Sequence, residues 1–492
     1  MAAADITAQD VWQSQKDVLA AVGGELSGEV SRDGNSETIS DVSIVFELPF
    51  EQGRIQMTGL SLKLTENEDG SVSIAYLEPV VMELQGTIEG EGSVSAQVGI
   101  DVLNGLTVAK GEPSDITWTY SADQVALELL DLSGNIPETD VSDFAVSGVI
   151  ADISGQTRIQ VAEQIISETS STLGAQNFEY HFTDQLGTKT AATAKADTTI
   201  AESDLVLPRG GMDIMNLASA LKDGLKLSLT SSTTGYGTTQ TVTVDDEVLS
   251  EQSTQSALQE VSYAFDAEGI KMDGLAQDSQ MEFVLAPILP APISASIANI
   301  SGTLQLPVSA GEAPQDAEID MVMDGLRMDE ALWSMFDPDQ VLPRTPAKVE
   351  LGLTAQVRNF VDWLNFPQVQ NVVEAGERPV EPVAMSLNRL DIDMAGAKLT
   401  GTGDLSFDND DTETYGGVPK PVGGFDLTLN GINTLIDNLI SIGLIQDQDA
   451  MGARMMLGIV TNPDPSGDKD ALISQIELTE DGHILANGQR LK

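Results

Sequence analysis

The sequence contains no cysteine, which removes several kinds of chemistry at once. Disulfides, thiol nucleophiles, zinc–thiolate sites and iron–sulfur clusters all need cysteine sulfur. Histidine is scarce as well, because His181 and His483 are the only two and lie far apart in the chain. The sequence also lacks a short histidine zinc motif, a G-x-S-x-G nucleophile turn and the glycine-rich nucleotide-binding loops. We therefore expect a protein that is not an enzyme.

Basic residues are few, with 24 Lys and Arg against 77 Asp and Glu, and the formal net charge is -53. A field of this sign repels phosphate backbones, so we expect no nucleic-acid partner. Electrostatic attachment to an anionic membrane surface is disfavoured for the same reason. The acidic surface is interpreted either as a solvated surface or as an attractor of cations such as Ca²⁺.

Long apolar runs are missing, and without a run of about 18 apolar residues we expect no transmembrane helix. The start, Met1-Ala2-Ala3-Ala4-Asp5, resembles a small-residue cleavage site behind an initiating methionine. We expect an exported, periplasmic protein whose signal peptide has been removed; a native cytosolic start is the alternative.

Many segments of the sequence show strict alternation of apolar and polar residues. Apolar residues alternate with polar ones in Asp41 to Leu48, and in Arg54 to Leu64 with an irregularity near Gly59. The pattern continues over Ser71 to Leu84, broken at Glu78-Pro79, and in later segments. Alternation bounded by Gly, Asp, Asn and Pro is typical of half-buried antiparallel strands. We predict a mainly β fold with peripheral helices (α+β), built from long curved antiparallel meander sheets that form a groove or a sandwich.

Helical spacing predicts a first helix after Thr7, where Asp10 completes a variant of the capping box. Its apolar stripe includes Val11 and Trp12. Other helices are predicted at Gln156 to Leu173, Met212 to Lys222, Asp329 to Phe336, Val357 to Phe366, Ile432 to Ile442 and Ala450 to Val460.

Two polar tracts, 183–204 and 228–255, are rich in Thr and resemble exposed hairpins or linkers. We place the main boundary near residue 205. This predicts a domain of residues 1–205, with the first helix and an antiparallel sheet, and a β-rich domain of residues 206–492.

The second half contains an internal repeat. Residues 320–326 match 426–432, and in both copies an alternating strand reaches a glycine, Gly325 or Gly431, before an amphipathic helix. The two strand–Gly–helix units lie around 318–342 and 424–448. Asp69-Gly70, Glu268-Gly269 and Asp481-Gly482 each precede an alternating run and predict hairpins.

Methionine is concentrated in the second half, where Met packs adaptably against irregular apolar ligands. The candidate apolar lining consists of Met321, Met323, Met335, Met451 and Met455. Ordinary core filling is the alternative interpretation of these methionines.

The candidate metal site is a loop that resembles a calcium-binding loop, although Ile473 stands where the bidentate Glu is expected. Its oxygen ligands would come from Asn462, Asp464, Ser466, Asp468 and Asp470. A plain acidic loop is the alternative, and we expect no other cofactor.

Three motifs carry a family resemblance: the run from Leu326 to Pro343, the run from Gly423 to Ile445, and the terminal Asp481 to Gly488. Together they resemble a domain-of-unknown-function family of exported alphaproteobacterial proteins, well over 260–492 and loosely before that. The resemblance implies a periplasmic location and no agreed activity. At the level of the fold, the repeated meander is similar to AsmA-like envelope proteins, whose curved sheets offer an apolar groove to lipids.

Three functions follow as hypotheses. The first is a periplasmic envelope protein that binds a lipid or another apolar ligand in a β-sheet groove. The second is a structural or scaffolding envelope protein that acts through contacts with other proteins. The third is a hydrolase that uses two carboxylates, although aromatic residues at 4% are few for a sugar-stacking cleft.

Overall fold

The computed structural model describes residues 6–47, 53–88, 92–134, 142–286, 289–465 and 470–492. Strands make up 65% and helices 13%, with 26 strands, paired antiparallel, and six short helices in this described part. The predicted mainly β class with peripheral helices is confirmed. Among the described residues, none of the helices is long and apolar enough to cross a membrane.

The chain divides into two compact units. Unit 1 comprises Met1–Ala267, Val284–Pro290 and Leu364–Pro367, and unit 2 comprises Glu268–Phe283, Ala291–Trp363 and Gln368–Lys492. Residue 205, where the sequence suggested a boundary, lies inside a strand of unit 1.

Unit 1 begins with a helix and continues mainly as strands. Its elements are α1 (Ala8–Ala21), β1 (Gly24–Asp33), β2 (Ser36–Glu47), β3 (Gly53–Glu66), β4 (Val72–Tyr76), β5 (Val80–Ile88), β6 (Gly92–Leu103), β7 (Leu106–Glu112), β8 (Asp115–Gly134), β9 (Ser142–Val161), β10 (Gln164–Leu173), β11 (Gln176–Thr183), β12 (Lys189–Ala196), β13 (Thr198–Pro208), α2 (Leu217–Lys222), β14 (Lys226–Val244) and β15 (Glu247–Asp266).

The sheet of unit 1 is a meander in which long strands pair with two short ones end to end. Strand β3 pairs with β4 and β5, and β8 pairs with β6 and β7. Strand β9 pairs with β10 and β11, and β14 with β12 and β13. At the predicted irregularity, the register between β2 and β3 shifts near Gly59, whose φ is +93°. A Cβ atom there would collide with the carbonyl oxygen of Val81, so glycine is required.

Helix α1 is fixed at its first turn by the predicted capping box. The Thr7 hydroxyl accepts from the Asp10 N–H, and the Asp10 carboxylate accepts from the Thr7 N–H. The helix buries Val11 and Trp12, which join Ile39, Leu64, Ile116 and neighbouring residues in one apolar cluster. This cluster is the core of unit 1.

From β16 onward the chain forms unit 2, apart from the short segments assigned to unit 1. Its elements are β16 (Gly269–Leu285), β17 (Leu289–Leu306), β18 (Gln315–Met328), α3 (Glu330–Ser334), β19 (Ala347–Asn359), α4 (Phe366–Glu374), β20 (Val380–Met394), β21 (Ala397–Asp408), β22 (Lys420–Asn430), α5 (Ile432–Ser441), α6 (Asp447–Val460), β23 (Asn462–Pro463), β24 (Ala471–Leu478), β25 (Ile484–Ala486) and β26 (Gln489–Arg490).

Strands β17 to β22 pair in chain order, and β24 follows β22. Paired residues point to the same side of a sheet, so the register defines an apolar face. One row across it consists of Met323, Val349, Ile392, Leu399, Leu429 and Leu472. All six side chains are only half-buried.

Two predicted helices are wrong. Residues 156–173 form the end of β9 and all of β10, and residues 357–359 end β19 before α4 begins at Phe366. The first segment consists of two strands joined by a turn at 162–163, and their apolar residues together happen to have helical spacing.

The polar tract 183–204 is mainly strand as well, and the tract 228–255 lies in the β14–β15 hairpin. Pairing with neighbouring strands overrides weak local preferences here.

The other helices lie near their predicted positions, with α2 shorter than expected. The Asp-Gly turns at 69–70 and 481–482 connect paired strands, and Gly70 and Gly482 have φ of +79° and +77°. Gly325 and Gly431 both adopt positive φ, +75° and +72°. However, β18 continues to Met328 after Gly325, whereas α5 begins directly after Gly431. The repeat therefore stays a prediction.

Candidate functional site

Unit 1 contains a half-open cavity of about 690 Å³ beside α1. Helix α1 contributes Val11, Trp12 and Gln15, and strands β1 to β9, with Glu78 and Gly105 from the turns between them, contribute the rest of the wall. The other lining residues are Leu26, Val42, Ile44, Leu60, Leu62, Leu64, Ile74, Ala75, Tyr76, Glu78, Val80, Ile100, Val102, Gly105, Leu106, Thr107, Trp118, Tyr120, Ser121, Ala122, Val125, Ile153, Thr157 and Ile159.

The periodicities of the sequence produce this wall. Residues Leu60, Leu62 and Leu64 alternate along β3 and therefore point to one side of the sheet. On α1, Val11 and Gln15 are four residues apart and share one helical face. The helix thus covers part of the apolar face of the sheet and leaves the remaining space as the cavity.

The wall is apolar and almost without charge. In the part of the chain that the structure describes, no lysine, arginine or histidine lines the cavity, and Glu78 is its one carboxylate. Tyr76, Glu78 and Leu106 are exposed at their positions in the wall, whereas Leu64 and Val42 are buried. Because solvent reaches these three residues, with Leu106 at 57% exposed, we infer that they lie at the open side of the cavity.

Two tryptophans in the wall carry neutral hydrogen-bond donors. The indole nitrogens of Trp12 and Trp118 are both shielded from solvent and have no acceptor among the described residues. Both rings belong to the apolar cluster under α1. Buried indole N–H groups usually find an acceptor, so these two are an uncommon feature of the wall.

Charged residues hold α1 in place outside the cavity. The Ala8 N–H donates to Glu66 Oε1 at 3.2 Å, and Arg32 donates to Glu66 Oε2 at 2.8 Å. Arg32 also pairs with Glu37 at 3.0 Å. Lys16 lies over the Trp12 ring, 5.5 Å from its centroid, but does not line the cavity. The helix is therefore fixed by its cap, its apolar face and this ion-pair network.

The structure brings none of the five candidate methionines to the cavity. Met321 and Met323 lie on β18, on the apolar face of unit 2, and Met335 follows α3. Met451 and Met455 lie on α6 and are 72% and 65% exposed.

The proposed calcium loop is only partly described. Ser466 and Asp468 lie outside the described residues, and Asn462 belongs to β23. Asp470 has a structural contact, because its carboxylate accepts from the N–H groups of Asn433 and Thr434 at the start of α5. Burial alone raises the pKa of Asp470, but hydrogen bonds from Thr434 and Asn433 outweigh it and lower the pKa. Among the described residues, no group of three or more Asp, Glu or His side chains is arranged to hold a metal ion.

The sequence patterns predict parts of the wall but not how these parts meet. Two apolar faces are predicted: the stripe of α1 with Val11 and Trp12, and one side of the alternating segment Arg54 to Leu64. A usable signal was that Trp12 and Trp118, two of the four tryptophans, fall in the first quarter of the chain. Which helix covers which strands depends on long-range pairing, and alternation does not encode it.

Comparison with known proteins gives a family for this chain. Residues 153–479 match the family described as an uncharacterized protein conserved in bacteria (DUF2125). No curated protein matches the chain, and no solved structure matches it either. The match begins at residue 153, so most of the cavity-lining residues precede it. Because the match covers more than half of the chain, the chain belongs to this bacterial family, as the resemblance of its second half predicted.

Proposed function

We propose that this protein binds a lipid or a similar apolar molecule in the cavity of unit 1, as a non-catalytic component of the bacterial periplasm. The observation that carries the proposal is the half-open cavity of about 690 Å³ with its apolar wall. Small-molecule sites are commonly apolar clefts of about 300–1,000 Å³. The periplasmic location is supported by the resemblance to exported proteins.

The energetics favour an alkyl chain as the guest. Burying one CH₂ group contributes about 0.8 kcal/mol, so about ten methylenes contribute roughly 8 kcal/mol before the costs of association. Most of the lining residues are apolar, so most of such a chain would contact hydrocarbon side chains. Lining residues such as Leu60 and Ile100 are half-buried, so a guest would cover apolar surface that water now reaches.

The test uses the full chain and N-phenyl-1-naphthylamine, an apolar fluorescent probe. Val125 lines the cavity and is half-buried, so Val125→Phe fills part of the space. Val149 is 37% exposed on the neighbouring strand and does not line the cavity, so Val149→Phe is the matched control. We expect Val125→Phe to weaken probe binding about tenfold, equivalent to loss of one or two buried methylenes, and Val149→Phe to leave it unchanged.

Native mass spectrometry after mild purification provides an independent readout. We expect a co-purified lipid on the wild-type chain and less of it on Val125→Phe. Absence of both probe binding and bound lipid in the wild type would overturn the proposal.

A second candidate function, contact with a partner protein, rests on α6. Met451, Met455 and Ile459 are spaced four residues apart and are 72%, 65% and 44% exposed. They form one apolar stripe, and exposed apolar patches often mark interaction sites.

A photo-crosslinking amino acid at position 455 tests this second candidate in intact cells. The control is position 186, where Leu186 is 88% exposed in a turn. A protein adduct at 455 and none at 186 supports the scaffolding function. Equal labelling at both positions, or none at either, contradicts it.

A further inference from the structure

We infer that the ligand of this cavity has an uncharged head group, so that alcohols, esters or amides of alkyl chains bind in preference to fatty-acid anions. This inference rests on the proposed function and specifies its ligand class. It follows from the charge of the residues that line the cavity, where Glu78 is the one charged side chain among the described residues.

The wall of the cavity carries almost no charge. Glu78 is the one charged residue among those that line the cavity in the described chain, and no cationic side chain accompanies it. Even at the open side, an anionic head group would therefore lose part of its hydration beside an apolar wall that offers no counter-ion. Burial of an unpaired charge is costly, whereas an uncharged oxygen loses far less on leaving water.

The one carboxylate of the wall lies at its open side. Glu78 is exposed there, close in sequence to Tyr76, which is 51% exposed. A chain that inserts its apolar end places its head group on this side, in the field of the Glu78 carboxylate. Two like charges about 4 Å apart repel by roughly 1–4 kcal/mol, depending on how much water screens them.

The hydrogen-bond donors of the wall are uncharged. The wall offers neutral polar groups, among them the hydroxyls of Tyr76, Tyr120 and Ser121. Neutral donors satisfy the oxygen of an alcohol or an ester but do not neutralise a carboxylate. Lys16, whose ammonium group lies 5.5 Å from the centroid of the Trp12 ring, is the cation whose contribution needs an explicit control.

The experiment compares decanol with decanoate, which share a chain length and differ in head-group charge, at pH 8. Both displace N-phenyl-1-naphthylamine from the full chain, and the displacement curves give their relative affinities. We expect decanol to bind about tenfold more tightly than decanoate, in line with one like-charge contact that is partly screened. We expect Glu78→Gln to reduce this ratio to about threefold, since desolvation of the carboxylate remains.

Two control variants complete the experiment. Glu112→Gln removes an exposed carboxylate of unit 1 that does not line the cavity, and it should leave the ratio unchanged. Lys16→Gln should leave decanoate binding unchanged as well. Equal affinities for decanol and decanoate, or a loss of decanoate binding in Lys16→Gln, would overturn the inference while leaving the proposed function standing. If neither ligand nor the probe binds, the proposed function itself fails.

Discussion

Units 1 and 2 are built from the same kind of meander but cover their apolar faces differently. In unit 1, α1 packs on the sheet, and Ile39, Leu64 and Ile116 become fully buried. In unit 2, the helices occur between strands, and the row from Met323 to Leu472 stays half-buried. Asn359 and Asp337, both polar, are among the most buried side chains of unit 2.

The difference shows that two properties are separate: the alternation of apolar residues along a strand, and the packing of another element over the apolar face that results. Alternation places apolar residues on one side of a strand, and both units have it. An enclosed space arises only where another element closes over that side, as α1 does over β1 and β3. Ligand binding is therefore expected to follow the position of α1 rather than the density of apolar residues.

The largest expected effect is a difference in unfolding free energy between substitutions in the buried core of unit 1 and on the half-buried apolar face of unit 2. Ile116→Ala in the core of unit 1 should lower the free energy of unfolding by about 2–5 kcal/mol, because it leaves a cavity in a close-packed cluster. Leu351→Ala on the half-buried face of unit 2 should cost about 1 kcal/mol, since water already reaches that side chain. Urea unfolding of both variants measures the two costs, and a larger cost for Leu351→Ala would contradict the comparison.

An intermediate effect concerns the buried carboxylate of unit 2. Asp337 has no exposed surface and accepts from the N–H groups of Val341 and Leu342, at 2.9 Å each, and from Arg344. Burial alone raises the pKa of Asp337, but the hydrogen bonds from Arg344, Val341 and Leu342 outweigh it, so the pKa lies below its ordinary value.

A carboxylate with a lowered pKa stabilises the fold above about pH 4, near the pKa of an unfolded aspartate, and this stability is lost as the pH falls through the lowered value. We expect Asp337→Asn to lower the urea midpoint at pH 7 and to flatten its decline below pH 4. Asp115→Asn is the matched variant in unit 1, where the Arg158 hydrogen bond lowers the pKa of a carboxylate that is 36% exposed. Asp115→Asn should lower the urea midpoint less than Asp337→Asn does. An equal or larger decrease would show that burial of the carboxylate does not determine its contribution to stability.

The smallest effect is expected on α6. Met455→Gln should change the free energy of unfolding by less than about 0.5 kcal/mol, because the side chain is 65% exposed and surface substitutions rarely exceed that value. Thermal unfolding followed by circular dichroism is sufficient to measure it. A loss of more than about 2 kcal/mol would place Met455 in a core, as large-to-small core substitutions do.

The sequence predicted the features that depend on local rules. The capping box of α1, the irregularity at Gly59 and the hairpins at Asp69-Gly70 and Asp481-Gly482 all follow from neighbouring residues. The helix predicted over 156–173 was wrong because these residues form strands β9 and β10, which pair with each other. Long-range pairing decides such segments, and single-sequence spacing does not contain it.

The candidate site was less predictable than the fold. Methionine content pointed to unit 2, whereas the cavity depends on α1 meeting strands up to about 145 residues further along the chain. Asp470 resembled a metal ligand by its spacing, but its position beside α5 makes it a cap for the Asn433 and Thr434 N–H groups. In both cases the residue type was informative, and its spatial neighbours decided the role.

The most direct test of the central claim is photolabelling of the full chain with a decyl ester that carries a diazirine on its alkyl chain, followed by peptide mass spectrometry. We expect labels on cavity-lining residues of unit 1, such as those of β3 and β8, and their loss in Val125→Phe but not in Val149→Phe. Labels confined to the apolar face of unit 2, or unaffected by Val125→Phe, would contradict it.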